Sequence, residues 1–184
     1  MQPTEATESC GSQWTFPEEM CGIRDGQSPN CDPIGAGKAY DWRFYTIGYE
    51  GRTIDIFVER LKKKGIARLI DVRERPLSRK KGFSKNVLRN RLEAEGIEYI
   101  HMPQLGSPSD IRHDYKDGGS EIVFFEKYRQ YVRDYRMDDI RELERYVSEK
   151  PSVIMCFEDA YMHCHRRILA ELVAEMSGFR PVHI

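Results

Sequence analysis

Residues 152–157 read Ser-Val-Ile-Met-Cys-Phe, a short apolar run rich in β-branched side chains with Pro151 in front. A run of this kind is a strand buried on both faces, which only a sheet covered by helices on both sides can supply. After a loop, Ile168, Leu169, Leu172, Val173 and Met176 recur at helical spacing and Gly178 stands in a stop position. A strand feeding a helix in this way is half of a parallel βαβ unit, and open sheets of this class bind ligands outside the carboxyl ends of their strands. The loop between the two elements runs from Cys156 to Arg167 and concentrates two thiols, a carboxylate, imidazoles and guanidinium groups.

The rest of the chain repeats the alternation. Residues 43–49 read as a strand stopping at Gly48, Ile54, Phe57, Val58 and Leu61 give a helical stripe, and 67–73 form a second strand with a polar end. Ser84 is placed as a helix N-cap, with Phe83 and Leu88 as a hydrophobic staple, and that helix ends at Gly96. A third strand covers 98–102. Residues 107–120, rich in Gly, Ser, Pro and Asp, read as a long loop of the lid or binding type. Two helices follow, one carrying Phe124, Phe125, Tyr128, Tyr131, Val132 and Tyr135 as a core stripe, the other Ile140, Leu143, Tyr146 and Val147. The last strand is 180–184. The pattern predicts a single α/β domain over 41–184, a three-layer sandwich with about five mostly parallel strands.

Residues 1–40 lack either hydrophobic period and read as a disordered or loosely attached extension, with Cys10, Cys21 and Cys31 at spacings unlike a metal site. No apolar stretch approaches the roughly 20 residues that span a bilayer, and the N-terminus lacks the features of a signal peptide. The expectation is a cytoplasmic protein without membrane contact, whose five cysteines stay reduced.

Parallel strands would gather Gly48, Tyr49, Asp71, Arg73, His101, Cys156 and Glu158 at one sheet edge, beside a helix whose first turn holds Cys164, His165 and Arg166. Free N–H groups at a helix start favour anions and thiolates, so Cys156 or Cys164 is a candidate nucleophile, with Glu158 or His165 moving protons. Zinc is a candidate cofactor through Cys156, Cys164 and one or two of His101, His163 and His165, because it takes sulfur and imidazole nitrogen tetrahedrally. Between Arg73 and Arg91 stand eight cations, Arg73, Arg75, Arg79, Lys80, Lys81, Lys85, Arg89 and Arg91, against the single acid Glu74. That stretch suits either nucleic-acid phosphates or a solvated helix face. The leading expectation is a cysteine-dependent enzyme whose partner is an anionic small molecule or nucleic acid, held by Arg73, Arg79 and Arg166. The alternative is a nucleic-acid-binding accessory protein with a structural, zinc-stapled Cys-His-Arg loop.

The motifs Tyr45-Thr46-Ile47-Gly48, Asp71-Val72-Arg73, Pro76 with Ser78-Arg79, Phe83, Tyr99-x-His101-x-Pro103-x-Leu105-Gly106, and Cys156-x-Glu158 followed by Cys164-His165-Arg166 resemble the domain of unknown function 488 family. The resemblance covers roughly 44–184 and implies an α/β domain with a cysteine-rich site. The loop departs from the commoner form in having Asp159-Ala160-Tyr161 where an Asp-Pro pair often lies one position later. A more distant similarity, rhodanese-like or Rossmann-like, rests on Asp71-Val72-Arg73 and on a late strand ending in Cys156. The loop here lacks the Gly and Ser of a rhodanese cradle, so sulfur transfer is an analogy only.

Overall fold

The computed structural model describes residues 43–184. The extension expected over 1–40, with Cys10, Cys21 and Cys31, lies outside the described residues. Five strands, β1 (Arg43–Gly48), β2 (Arg68–Asp71), β3 (Glu98–His101), β4 (Ser152–Cys156) and β5 (Arg180–His183), form one sheet in the order β3-β2-β4-β1-β5. Every neighbouring pair is parallel. The helices are α1 (Ile54–Lys63), α2 (Lys85–Glu93), α3 (Ser109–Lys116), α4 (Glu121–Tyr135), α5 (Met137–Glu149) and α6 (Arg166–Ser177). No helix among the described residues is long and apolar enough to cross a membrane.

The pleat sends alternate side chains to two separate cores. On one face Leu69, Val153 and Met155 pack with Phe57, Val58 and Leu61 of α1 and Leu88 and Leu92 of α2. On the other, Ile70, Ile154 and Cys156 pack with Tyr128 and Val132 of α4, Ile140 and Leu143 of α5, and Ile168, Leu169 and Leu172 of α6. The expected three layers result, and β4 is buried along its whole length, as its unbroken apolar run requires. The register aligns the strand ends: Gly48 lies beside Cys156, and Asp71 beside both Met155 and His101.

Two local expectations are corrected, and that of Ser84 holds in position but not in its side-chain bond. Residues 107–120 are not a loop, because α3 occupies most of them. Asp110 sits in its first turn, and Ile111 and Tyr115, four apart, pack toward the core and onto Phe124. Pro108 and Gly118, whose composition suggested a loop, only bound the helix. Ser84 holds the N-cap position of α2 without capping it; its hydroxyl donates to the Ser78 carbonyl and accepts from the Ser78 N–H. Finally, α6 begins at Arg166, with His165 at the N-cap. Cys164 ends a preceding short 3-10 turn, where its N–H already donates to the Tyr161 carbonyl. The thiol therefore does not sit in the first turn of α6.

Candidate functional site

The carboxyl edge of the sheet carries two clusters on opposite faces, joined at Val72 and Arg73. The first is built on Asp71, which is fully buried. Its carboxylate takes Arg73 Nε at 2.8 Å and Nη2 at 2.6 Å, and Tyr99 Oη donates to it at 2.6 Å. Arg73 Nη1 also reaches Tyr49 Oη and the Phe83 carbonyl. Burial opposes the Arg73 charge, but the Asp71 carboxylate outweighs it and raises the guanidinium pKa. For the Tyr99 phenol, burial and then the same carboxylate both act to raise the pKa. His101 Nε2 lies 2.9 Å from the Arg73 carbonyl, which assigns the proton there and leaves Nδ1 to face Lys85 Nζ at 2.9 Å.

The second cluster brings Cys156, Glu158, Cys164 and His165 together, with one ligand-type atom from each all within 4.8 Å of one another. Glu158 Oε2 accepts from Cys156 Sγ at 3.1 Å and from Cys164 Sγ at 3.0 Å. His165 Nδ1 lies 3.6 Å from Cys156 Sγ and 3.9 Å from Cys164 Sγ. Its other nitrogen, Nε2, lies 3.3 Å from the Val72 carbonyl, which assigns the ring proton there and turns Nδ1 to the sulfurs. The Tyr128 ring packs edge-on against the imidazole. Burial pushes the Cys164 thiol well above the usual range, and the Cys156 thiol beside it pushes the same way. Burial alone would raise the Glu158 carboxyl, but donation from Cys164 and Cys156 lowers it overall. Burial opposes the His165 charge, and Cys164 and Glu158 outweigh it, so the imidazole pKa is raised.

The loop carrying these groups is held from three sides. The Phe157 carbonyl accepts from the N–H groups of Tyr49 and Glu50 at 3.1 and 2.9 Å. Gly48 lies so close that a Cβ there would sit 1.8 Å from the Glu158 carbonyl oxygen. Arg166, buried, donates to the carbonyls of Glu158 and Asp159.

A cavity of about 540 Å³ opens at this edge, a size suited to a small-molecule ligand. Of the residues expected to form the site, Tyr49, Arg73, Arg79, Cys156, Glu158 and His165 line it. Cys164 lies behind them, and Gly48, Asp71, His101 and Arg166 are not in the lining. Asp71 and His101 are engaged within the protein, and Arg166, whose Nε is buried without a partner among the described residues, clamps the loop through its two terminal nitrogens instead of facing the cavity.

Sequence reading missed Arg112 and Ser107, which also line it, and offered Arg75, a further lining residue, only as one cation of the basic stretch. Ser107 is 4% exposed, and its hydroxyl has no partner among the described residues. Gly106 places it there by packing against the Glu74 backbone, where a Cβ would meet the Glu74 nitrogen at 2.4 Å. No signal in the sequence marks a hydroxyl as buried and unpaired, although the Gly106-Ser107 step was visible. Arg112 is paired with Glu74 at 2.8 Å, and Lys80 donates to the Tyr49 carbonyl at 3.2 Å. Arg75 and Arg79 line the cavity and pair with no acid among the described residues. His163, a zinc candidate on sequence, turns instead to Glu121 at 2.5 Å, and His101 is committed to Arg73 and Lys85.

No curated protein and no solved structure matches the chain, so the distant rhodanese-like or Rossmann-like similarity has no solved neighbour behind it. The family model described as domain of unknown function DUF488 matches residues 53–173, a span that holds both clusters apart from Gly48 and Tyr49. The chain belongs to the DUF488 domain-of-unknown-function family.

Proposed function

We propose that the protein is a cysteine-dependent enzyme acting on an anionic substrate, a phosphoester of nucleotide size, bound in the strand-end cavity. The carrying observation is the meeting, in one cavity, of a Cys156–Glu158–His165 face with Arg75 and Arg79, cations that pair with no acid among the described residues. The buried, partnerless Ser107 hydroxyl supports the reading, because a group of that kind normally finds a hydrogen-bond partner, and a phosphate oxygen supplies one. Exposed Leu77 and Phe157, the latter edge-on to Tyr49, give the same cavity an apolar wall for a base or other ring. Arg75 and Arg79 hold the anion, Ser107 orients it, and Cys156, Glu158 and His165 face the bond that reacts.

The test is a turnover screen over phosphomonoesters, phosphodiesters and nucleotides, with inorganic phosphate as competing ligand. Arg79→Ala raises KM by about 10- to 150-fold for the loss of one charge-assisted contact, worth roughly 1.5–3 kcal/mol, with kcat little changed. Cys156→Ser lowers kcat by about a hundredfold or more. Absence of turnover and of phosphate binding, or full activity in Cys156→Ser, would sink the proposal.

The nucleic-acid accessory reading is less well supported, because most of the basic stretch is spent internally. Arg73 is paired with Asp71, Lys80 with the Tyr49 carbonyl, Lys85 with His101, and Arg91 with Asp55 and Glu95, while Arg89 lies over the Tyr99 ring.

A further inference from the structure

We infer that Cys156, Cys164, His165 and Glu158 bind one divalent transition-metal ion of the zinc class, and that this ion is the reacting centre of the cavity. The inference rests on the reading of these residues as the site of chemistry and adds what makes them reactive.

The geometry comes first. A tetrahedral zinc with sulfur at about 2.3 Å and nitrogen or oxygen at about 2.0–2.1 Å sets S···N and S···O edges near 3.5 Å and an S···S edge near 3.8 Å. The two S···N distances are 3.6 and 3.9 Å, and the two S···O distances are 3.1 and 3.0 Å. All four ligand-type atoms lie within 4.8 Å of one another, so small side-chain adjustments place them around one centre. The donor set of two sulfurs, one imidazole and one carboxylate is the chemistry zinc takes.

The surroundings argue the same way. A ligating histidine normally gives its second ring nitrogen to a carbonyl or carboxylate, which fixes the ring, and His165 Nε2 faces the Val72 carbonyl at 3.3 Å. The carboxylate of Glu158 lies against both sulfurs, so without a cation a thiolate on either cysteine meets a negative charge about 3 Å away. A divalent ion at the centre removes that conflict, because it binds both thiolates and the carboxylate together. Glu158 is the most exposed ligand of the four, and it lines the cavity together with Cys156 and His165. Its position is therefore where a water or a phosphoryl oxygen would reach the metal, in contact with the anion held by Arg75 and Arg79.

The test uses the chain carrying Cys10→Ser, Cys21→Ser and Cys31→Ser, so that these three thiols add no sites. The purified protein is stripped with chelator and titrated with Co²⁺, then with Zn²⁺ in competition. The expected result is one Co²⁺ per chain, with thiolate-to-cobalt charge-transfer absorption and the intense visible bands of a tetrahedral site. Zn²⁺ abolishes both. Cys164→Ser, remote from the cavity lining, weakens binding by more than the roughly 10–100-fold typical of outer-shell changes, and Glu158→Gln by a smaller factor. Circular dichroism of each variant shows that the fold persists, and a His101→Ala variant, which removes an imidazole outside the four, keeps the cobalt spectrum. Absence of stoichiometric cobalt, or a spectrum unchanged in both Cys156→Ser and Cys164→Ser, overturns the inference. The metal and the substrate separate cleanly: Arg79→Ala keeps the cobalt spectrum while losing phosphate affinity. A chain that turns over phosphoesters without binding metal therefore refutes the metal alone, and one that binds metal but no phosphate refutes the substrate reading alone.

Discussion

Asp71 and Arg73 stand two residues apart, yet the β-pleat and the bend after β2 fold the guanidinium back onto the carboxylate in a fully buried position. The pair is costly to bury and more costly to break, because removing one partner leaves the other charge uncompensated. Asp71→Asn should lower stability by about 3–5 kcal/mol, read as a fall in the urea midpoint. Tyr99→Phe, which removes only the hydroxyl donating to Asp71, should cost about 1–2 kcal/mol. A loss under about 1 kcal/mol in Asp71→Asn would mean that Arg73 finds another anion or reaches water. At this scale the sequence shows the residue types and their place at strand ends, and Cys156, Asp71 and Arg73 were legible on that basis. It does not show that Asp71 and Cys156 fall on opposite faces, because that depends on which strands become neighbours. Nor does it show that the Ser107 hydroxyl is left unpaired, because that follows from Gly106 packing on Glu74.

Elements were legible where period and punctuation agreed, and misread where composition spoke louder than spacing. The run 152–156 and the stripe of α6 were visible because each obeys one period throughout. Helix α3 was hidden because its flanking Pro and Gly lie close to a short helix with only two apolar anchors, Ile111 and Tyr115. The ligand-bearing loop after β4 is positioned by β1, whose last residue, Gly48, leaves no room for a side chain. Gly48→Ala should therefore push the Glu158 backbone away from β1. A loss of about 1–3 kcal/mol is expected from overpacking against backbone that cannot turn aside. The same displacement should open a path to Cys164, now 1% exposed, so its alkylation rate should rise well above that of the parent. Unchanged stability together with unchanged alkylation would show that the loop is not seated on Gly48.

At the scale of the whole molecule, the basic stretch is where sequence and structure diverge most in functional meaning. Eight cations between Arg73 and Arg91 promise a broad electropositive face on a chain of formal net charge -1. Folding spends five of them on Asp71, the Tyr49 carbonyl, His101, the Tyr99 ring, and Asp55 with Glu95. Among the described residues, Arg75, Arg79 and Lys81 are left to meet an external anion, and the first two lie in the cavity lining. Counterion release converts that number into a salt dependence. Three phosphate contacts give a slope of log affinity against log salt of about -2.7 on duplex DNA or about -2 on a single strand, whereas eight would give about -7 or -6. Anisotropy titrations of a labelled oligonucleotide between low and moderate salt should therefore give the shallow slope. The slope should fall further when Arg75 and Arg79 are both replaced by Ala, and inorganic phosphate should compete for the same site. A steep slope insensitive to those two substitutions would place nucleic acid on another surface and separate it from the cavity. The shallow slope with phosphate competition would instead mean that the few cations folding leaves unpaired serve one compact anion beside the cysteine cluster.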